Sequence, residues 1–507
     1  MADTRSFDPP HARIRDPETA PESAEAPGTA SAPPGKRPRA ALQALGCRLN
    51  IAETTLLRLE LERDGFDIVP WGQEADVCVV NTCTVTGQAD AKSRHSLRAA
   101  RRHSPAATIA ATGCFAQLNA QALGNSGLAD VVVGNGEKLR LVAHLHAARS
   151  RDQALAPYVT AETPSRHPFT VPTQALTPGT AERPPGDHPA PEAAHGSWFD
   201  PAALVLTGEA TRAHIKVQDG CDFMCSFCVI PLARGHSRPR DFDNLMTEAA
   251  GLLQAGVREL VLTGVNVGTY LHEGRTLVDV VDALAELPGL ARIRISSIEP
   301  TTVPQALLER MADPTHALTP FLHLPLQSGS PAILSAMRRR YGARDWRNYA
   351  EAALRQVPDL CLGTDVMAGF PGESASDFAD TVSLLESLPL AYCHVFPYSS
   401  RQRTAAARME AQVPSPVRRQ RAEVLRALSE RKQRAFHQRQ VGRRLEVLCE
   451  GAGARSPVAG YSANYVRVEL ALPPEVHRAA LRNRLLPVRV LEAGSHAVVG
   501  IPEGEPR

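Results

Sequence analysis

Three cysteines fall within eight residues, at Cys221, Cys225 and Cys228, directly after a strand-like segment from His214 to Val217. The run reads Gly220-Cys221-Asp222-Phe223-Met224-Cys225-Ser226-Phe227-Cys228, a C-x3-C-x2-C loop. Thiolates are soft ligands that suit iron–sulfur clusters and zinc. In a four-iron cubane, three cysteines leave one iron without a protein ligand, and that open iron can chelate a small molecule. A structural zinc site closes with four ligands. No fourth Cys or His stands at knuckle spacing, although His236 is eight residues on. Zinc is the alternative reading at this point.

A second set of cysteines follows a positional rule. Between about 40 and 148 the chain alternates strand patterns (Ala41–Leu45, Val77–Val80, Thr108–Ala111, Val131–Val133) with helical ones such as Glu53–Arg63 and Ala89–His103. Such alternation predicts a parallel sheet. Cys47, Cys83 and Cys114 each end one of the first three strands. The carboxyl ends of parallel strands share one edge, where ligands collect. A lone cysteine is usually a small buried hydrophobe, and Cys78, inside VCVV, is read so. Three cysteines at successive strand ends are better explained as a second three-thiol centre.

From about 210 to 400, strand and helix alternate six times. The strands are His214–Gln218, Glu259–Thr263, Arg292–Ser296, Phe321–Pro325, Cys361–Met367 and Tyr392–Pro397; helices run through 243–255, 276–286, 303–311, 331–338, 346–356 and 375–387. Six βα units predict a partial version of the eight-fold barrel, open on one side, with its chemistry at the strands' C-terminal mouth. The Cys221 loop follows the first strand. Thr263-Gly264-Val265-Asn266, Ser296-Ser297-Ile298-Glu299-Pro300, Pro325-Leu326-Gln327-Ser328-Gly329-Ser330 and Gly369-Phe370-Pro371-Gly372-Glu373 follow others. Ordinary turns use the same residues, but four such segments in register imply a ligand pocket that backbone can approach at glycine.

Composition frames the remainder. The chain has 507 residues, is 43% apolar and carries a net charge of +2, which names no partner by itself. Ten cysteines in so long a chain do not make a disulfide scaffold; their clustering fits metal chemistry in a reducing, cytoplasmic setting. No apolar run is long enough for a transmembrane helix, and MADTRSFDPPHARIRDPETA lacks the apolar core of a secretory signal. Residues 1–38 and 149–206 are rich in Pro and Ala without periodicity, and are expected to be a disordered extension and an interdomain linker. Residues 401–450 hold thirteen Arg/Lys against five Asp/Glu, with Arg431, Lys432 and Arg434 at the centre. Such a helix reads as a phosphate-contact surface or as a solvated face; the run Lys92–Arg102 is open to the same two readings. Beyond 441 come short β patterns at Leu445–Cys449, Tyr465–Leu470, Leu486–Val490 and Ala497–Ile501. Tyr461 and Tyr465, beside Asn464 and Arg467, suit either RNA stacking or burial.

The combination closely resembles the radical S-adenosylmethionine (SAM) methylthiotransferases. The resemblance covers nearly all of 40–501 apart from the linker. LGCRLNIAET, NTCTVT, KSRHSLRAARR, IKVQDGCDFMCSFCVIPLARG, VLTGVNVGTY, ISSIEP, HLPLQSGS, MRRRY and GTDVMAGFPGES look most like the branch acting on threonylcarbamoyladenosine in tRNA. One departure is Arg401-Gln402-Arg403-Thr404-Ala405, where the family usually has Gly-Thr-Pro after the arginine; it puts the shape of that loop in question.

The resemblance implies an α/β architecture: an N-terminal parallel-sheet domain over 39–148, a partial (βα)6 radical SAM barrel with the basic helix over 207–440, and a small RNA-binding TRAM β-barrel over 441–502. It implies two [4Fe–4S] clusters, one on Cys221, Cys225 and Cys228 that chelates SAM, and one on Cys47, Cys83 and Cys114 that carries sulfur. Gly264, Asn266, Ser297, Glu299, Gln327, Asp365 and Gly369 become candidate SAM contacts. The activity implied is methylthiolation at carbon 2 of N6-threonylcarbamoyladenosine next to the anticodon, a C–H bond beyond the reach of protein acid–base groups. The alternatives are the same chemistry on isopentenyladenosine or on a ribosomal-protein aspartate. Arg234, Arg238 and Arg240 are candidates to pair with the substrate carboxylate, since the guanidinium fork matches it; the alternative is that they contact tRNA phosphates or an acidic residue of the barrel. Arg431, Lys432 and Arg434 are candidates for tRNA phosphates. A monomer served by an electron donor such as flavodoxin or ferredoxin is expected.

Overall fold

The computed structural model describes residues 37–149, 158–160, 211–450, 458–472 and 478–506. The expected extension and most of the expected linker lie outside the described residues. Six strands, β1 (Arg39–Ala44), β2 (Asp67–Ile68), β3 (Val77–Thr82), β4 (Thr108–Gly113), β5 (Val131–Val133) and β6 (Tyr158–Thr160), form a sheet in the order β2-β1-β3-β4-β5-β6. Every pairing in it is parallel. A parallel sheet covered on both faces needs strands that are apolar throughout, and β3, Val-Cys-Val-Val-Asn-Thr, is buried at every position. Its alternate residues feed two cores, Cys78 and Val80 on one face, Val77 and Val79 on the other. β6 is a difference from the sequence reading: the sheet reaches into the stretch read as linker.

Helices α1 (Arg48–Arg63) and α2 (Gly87–His103) cover this sheet, with short α3 (Cys114–Leu118) starting on a cysteine and α4 (Ile230–Arg234) following the Cys221 loop. The barrel strands are β7 (Arg212–Lys216), β8 (Glu259–Thr263), β9 (Arg292–Ile295), β10 (Phe321–His323), β11 (Cys361–Ala368) and β12 (Tyr392–Pro397). They form two parallel three-stranded sheets, β9-β8-β7 and β10-β11-β12, tied by bridges Ile293–Leu318 and Ser297–His323. β7 and β12 do not pair, so the six-stranded barrel is open there. Leu56 and Leu59 of α1 pack with Ala213 and Ile215 of β7 in one core, which places the N-terminal unit beside that opening.

The long helix α5 (Ser415–Gln438) leads into β13 (Arg444–Cys449), β14 (Ala459–Ser462), β15 (Arg467–Leu470), β16 (Leu485–Ala493) and β17 (Val498–Pro502), a closed barrel in the order β13-β14-β15-β17-β16. β14 was not expected, and Tyr465, expected within a strand, sits in a turn with φ 62°. This barrel packs on the N-terminal ends of the parallel strands. Arg292 donates to the carbonyls of Tyr461 and Glu446 at 2.7 Å each, and Arg294 to that of Ala463 at 3.1 Å. Phe321, Cys361 and Ala391 share its apolar core with Val447 and Val466. Tyr461 and Tyr465 stack on each other with centroids 4.8 Å apart, beneath Arg212 and Arg294. Among the described residues no helix is long and apolar enough to cross a membrane.

Candidate functional site

The Cys221 loop starts at Gly220, whose φ of 68° and close approach to the His236 carbonyl leave no room for a side chain. Each sulfur then meets one donor: Phe223 N–H to Cys221 at 3.3 Å, Arg339 Nη1 to Cys225 at 3.2 Å, Ile230 N–H to Cys228 at 3.4 Å. Burial pushes the Cys221 thiol up to about 11 and the Cys228 thiol up to about 12. Buried thiols of this kind hold their protons until a metal takes their place.

Cys47, Cys83 and Cys114 stand where β1, β3 and β4 end. Gly46 (φ 90°) lies against the Cys83 sulfur and Gly113 (φ 93°) against the Thr82 backbone, so the strand ends converge only because neither carries a Cβ. Cys83 and Cys114 are buried, while Cys47 is exposed. Burial, with the neighbouring Cys47 and Cys114 thiols, pushes the Cys83 thiol up to about 11. Three soft thiolate donors at each triplet, with no fourth protein ligand established, fit a cubane with one open iron rather than a closed four-ligand zinc site.

A buried ion network links α1 to the segment around the Cys221 loop. Glu53 of α1, 1% exposed, accepts from Lys138 (2.5 Å), Lys216 (2.8 Å) and Arg234 (2.9 and 3.1 Å). Asp219 accepts from Lys216 (2.7 Å), Arg234 (3.0 Å) and Arg238 (2.8 Å). These cations, despite burial, hold the Glu53 carboxyl well below the usual range. Arg234 also donates to Asn50 Oδ1 at 2.8 Å and, through Nε, to the sulfur of Cys114 at 3.3 Å. Of the two readings of the loop arginines, the structure shows the one in which they pair with acids of the chain itself. Arg234 and Arg238 are committed to the network. Arg240 is 0% exposed and is paired with Glu248 and with Asn244. Glu53 and Asp219 were not singled out from sequence; the signal was there in Asn50 and Glu53, polar residues three apart on the buried face of α1.

The mouth of the parallel barrel carries the candidate SAM residues. Asn266 is 1% exposed; its Oδ1 accepts from Thr302 at 3.1 Å, while its Nδ2 has no partner. The hydroxyls of Thr263 and Ser296, at neighbouring strand ends, are equally buried and unmatched. Such orphans fit a polar ligand. Glu299 pairs with Arg339, which also donates to Tyr341 Oη at 2.8 Å and to Cys225, tying the acid to the cluster loop. The backbone of Gly264 lies against Gln218, whose Oε1 caps the amides of Val265 and Asn266 at 2.9 Å. Ser297 is exposed, and Gln327 sits at φ 72°. Asp365 and Gly369 have partners within the chain. Asp365 accepts from His323 (3.1 Å) and His394 (3.4 Å), which hold it well below the usual carboxylate range despite burial. Gly369 (φ 73°) packs under the Arg418 side chain of α5.

On α5, Arg431 pairs with Glu386 and Arg434 with Glu430, all well exposed, whereas Lys432 donates to the Glu386 and Leu388 carbonyls at 2.8 and 2.5 Å. In the divergent loop, Arg403 takes φ 71°, a conformation glycine adopts freely. The loop is anchored by Arg401, which pairs with Asp90 and donates to Thr84 at 3.1 Å.

Residues 39–134 match the family described as Uncharacterized protein family UPF0004, and residues 215–385 match the Radical SAM superfamily. The chain is 33% identical over 413 residues to the Threonylcarbamoyladenosine tRNA methylthiotransferase MtaB of Aquifex aeolicus, covering 81% of this chain and 92% of that one. It is 31% identical over 464 residues to the protein so named from Bacillus subtilis, covering 90% and 94%. Among solved structures, the radical S-adenosylmethionine methyltransferase TsrM of Kitasatospora setae shares the fold, with a TM-score of 0.50 at 15% identity over 73% of this chain and 77% of that one. With a cysteine loop at the mouth of an open parallel barrel and a second thiol triplet on the adjoining sheet, the chain belongs to the radical SAM methylthiotransferases, in the threonylcarbamoyladenosine tRNA methylthiotransferase branch, and is a transferase.

Proposed function

We propose that the protein methylthiolates carbon 2 of N6-threonylcarbamoyladenosine beside the anticodon of tRNA, in the cytoplasm, with a small redox protein such as flavodoxin or ferredoxin as reductant. The observation that carries this reading is that Arg234, on the helix that follows the Cys221 loop, pairs with Glu53 of α1 and donates to the Cys114 sulfur, which ties the segments bearing the two thiol triplets together. When bound, two [4Fe–4S] clusters and SAM supply electron transfer, hydrogen-atom abstraction and the methylated sulfur. The chain's residues do the rest. Arg339, set by Glu299 and Tyr341, steadies the Cys225 sulfur. The unpaired Asn266 amide and the Thr263 and Ser296 hydroxyls line the mouth where the amino-acid end of SAM would bind. Arg431 and Arg434 face solvent, where tRNA phosphates can reach them. The branch names of the relatives favour the threonylcarbamoyl base over isopentenyladenosine or a protein side chain.

The test is anaerobic reconstitution with a dithionite-reduced donor and anticodon stem-loops, followed by mass spectrometry of the nucleosides. A methylthio product on the threonylcarbamoyl RNA and none on the unmodified or isopentenyl RNA is expected. Product on isopentenyladenosine, or on a ribosomal protein alone, would overturn the substrate assignment.

A further inference from the structure

With Arg234, Arg238 and Arg240 committed to internal carboxylates, another cation must receive the negatively charged end of the substrate's N6 side chain. A cavity of about 340 Å³ lies where three parts of the chain meet. The N-terminal unit contributes Arg48 to its wall, the open barrel Tyr392 and His394, and the closed barrel Tyr461, Tyr465 and Arg467. The volume is in the range of small-molecule sites.

Two arginines of the cavity wall, Arg48 and Arg467, have no carboxylate partner among the described residues; Arg467 is exposed, whereas Arg48 is half-buried and directly follows Cys47. Arg212 pairs with Glu450, Arg294 with Glu259 and Arg339 with Glu299. Among the described residues no carboxylate pairs with Arg48. Its Nη2 donates to Tyr465 Oη at 3.4 Å, and its guanidinium stands 5.8 Å from that ring's centroid. Tyr465 is itself held in a left-handed conformation, φ 62°, with its ring 4.9 Å from Phe321. Strain of this kind collects where a side chain must be aimed. Among the described residues the cavity wall carries no carboxylate, and Asp365, which pairs with His394 of that wall, is not part of it.

We propose that Arg48 is a substrate-binding residue that receives the carboxylate of the N6-threonylcarbamoyl group in this cavity, and so sets the specificity of the enzyme for an acidic N6 substituent. This rests on the substrate reading above. Arg48 directly follows Cys47. In a purine, C2 and C6 both flank N1, so the N6 substituent and C2 share one edge of the base. A residue beside Cys47 that holds the N6 carboxylate brings C2 to the sulfur-bearing triplet. Guanidinium and carboxylate match as a fork.

The test uses the full chain with reconstituted clusters and three anticodon stem-loops: one carrying the threonylcarbamoyl acid, one its methyl ester, one unmodified adenosine. Binding is read by fluorescence anisotropy and product by mass spectrometry. The wild type is expected to bind the acid about 10–150-fold more tightly than the ester, as a charged hydrogen bond does. Arg48→Met should lose that preference while keeping its iron content and its affinity for unmodified RNA; Arg48→Lys should keep part of it. A wild type that methylthiolates the acid yet binds acid and ester alike overturns the role of Arg48 alone, as does an Arg48→Met variant that keeps the full preference or loses affinity for all three RNAs equally. A wild type that forms no product on the threonylcarbamoyl RNA overturns the substrate reading beneath it.

Discussion

Arg234 Nε donates to the sulfur of Cys114 at 3.3 Å. The arginine closes the helix that begins two residues after Cys228, so a side chain delivered by one cysteine loop serves a sulfur of the other. Donors to cluster sulfurs tune reduction potential. In a Cys221/Cys225/Cys228→Ala background, Arg234→Lys is expected to lower the potential of the remaining cluster in an EPR-monitored titration. An unchanged potential would leave Arg234 a purely architectural role.

The two triplets should be separable. Replacing Cys221, Cys225 and Cys228 with Ala is expected to halve bound iron and abolish SAM cleavage. Replacing Cys47, Cys83 and Cys114 should halve iron and leave uncoupled SAM cleavage. Full iron in either triple variant would refute that site.

Glu53 contacts three buried cations; it shares Lys216 and Arg234 with Asp219, and is the carboxylate that pairs with Lys138. Removing one partner of a buried ion pair costs about 3–5 kcal/mol, because the remaining charge stays desolvated. Glu53→Gln should therefore lower the urea midpoint sharply. Glu62→Gln, from a half-exposed pair with Arg58, should stay within about 0.5 kcal/mol of wild type.

Acid should weaken the junction through His214. Burial, then the neighbouring charges of Arg48 and Arg212, lower its pKa from 6.5 to about 4. Between those values the unfolded chain takes a proton that the folded chain refuses. The stability that His214 permits is therefore complete above pH 6.5 and falls as pH drops towards 4, by at most about 1.4 kcal/mol per unit. His214→Gln should flatten that part of a plot of melting temperature against pH.

On α5 the three central cations should behave differently. Arg431→Gln with Arg434→Gln is expected to reduce the salt slope of tRNA binding by roughly one unit per lost phosphate contact. Lys432→Met should leave the slope alone and reduce stability, since its ammonium ties α5 to the Glu386 and Leu388 carbonyls. An unchanged slope in the double variant would make this face merely solvated.

The parallel strands and the converging cysteines were legible because both follow from short-range pattern plus one topological rule: strand ends share an edge. β14 was not. Ala459-Gly460-Tyr461-Ser462 lacks the β-branched run of a strand and is held by its pairing with β13 and β15. The loop arginines misled for a different reason. An arginine near a metal loop looks the same whether free or paired, and the partner of Arg234, Glu53, lies 181 residues away in sequence. Arg48 carries no signal in the sequence, because only the folded chain shows that it lacks a carboxylate and lines a cavity.

The closed barrel is fixed to the underside of the parallel one through Arg292, Arg294 and Phe321. It is therefore a floor as well as an appendage. Cutting the chain near Val441 would strip backbone acceptors from two buried guanidiniums. Loss of activity in such a truncation would therefore report damage to the parallel barrel as well as any lost hold on RNA.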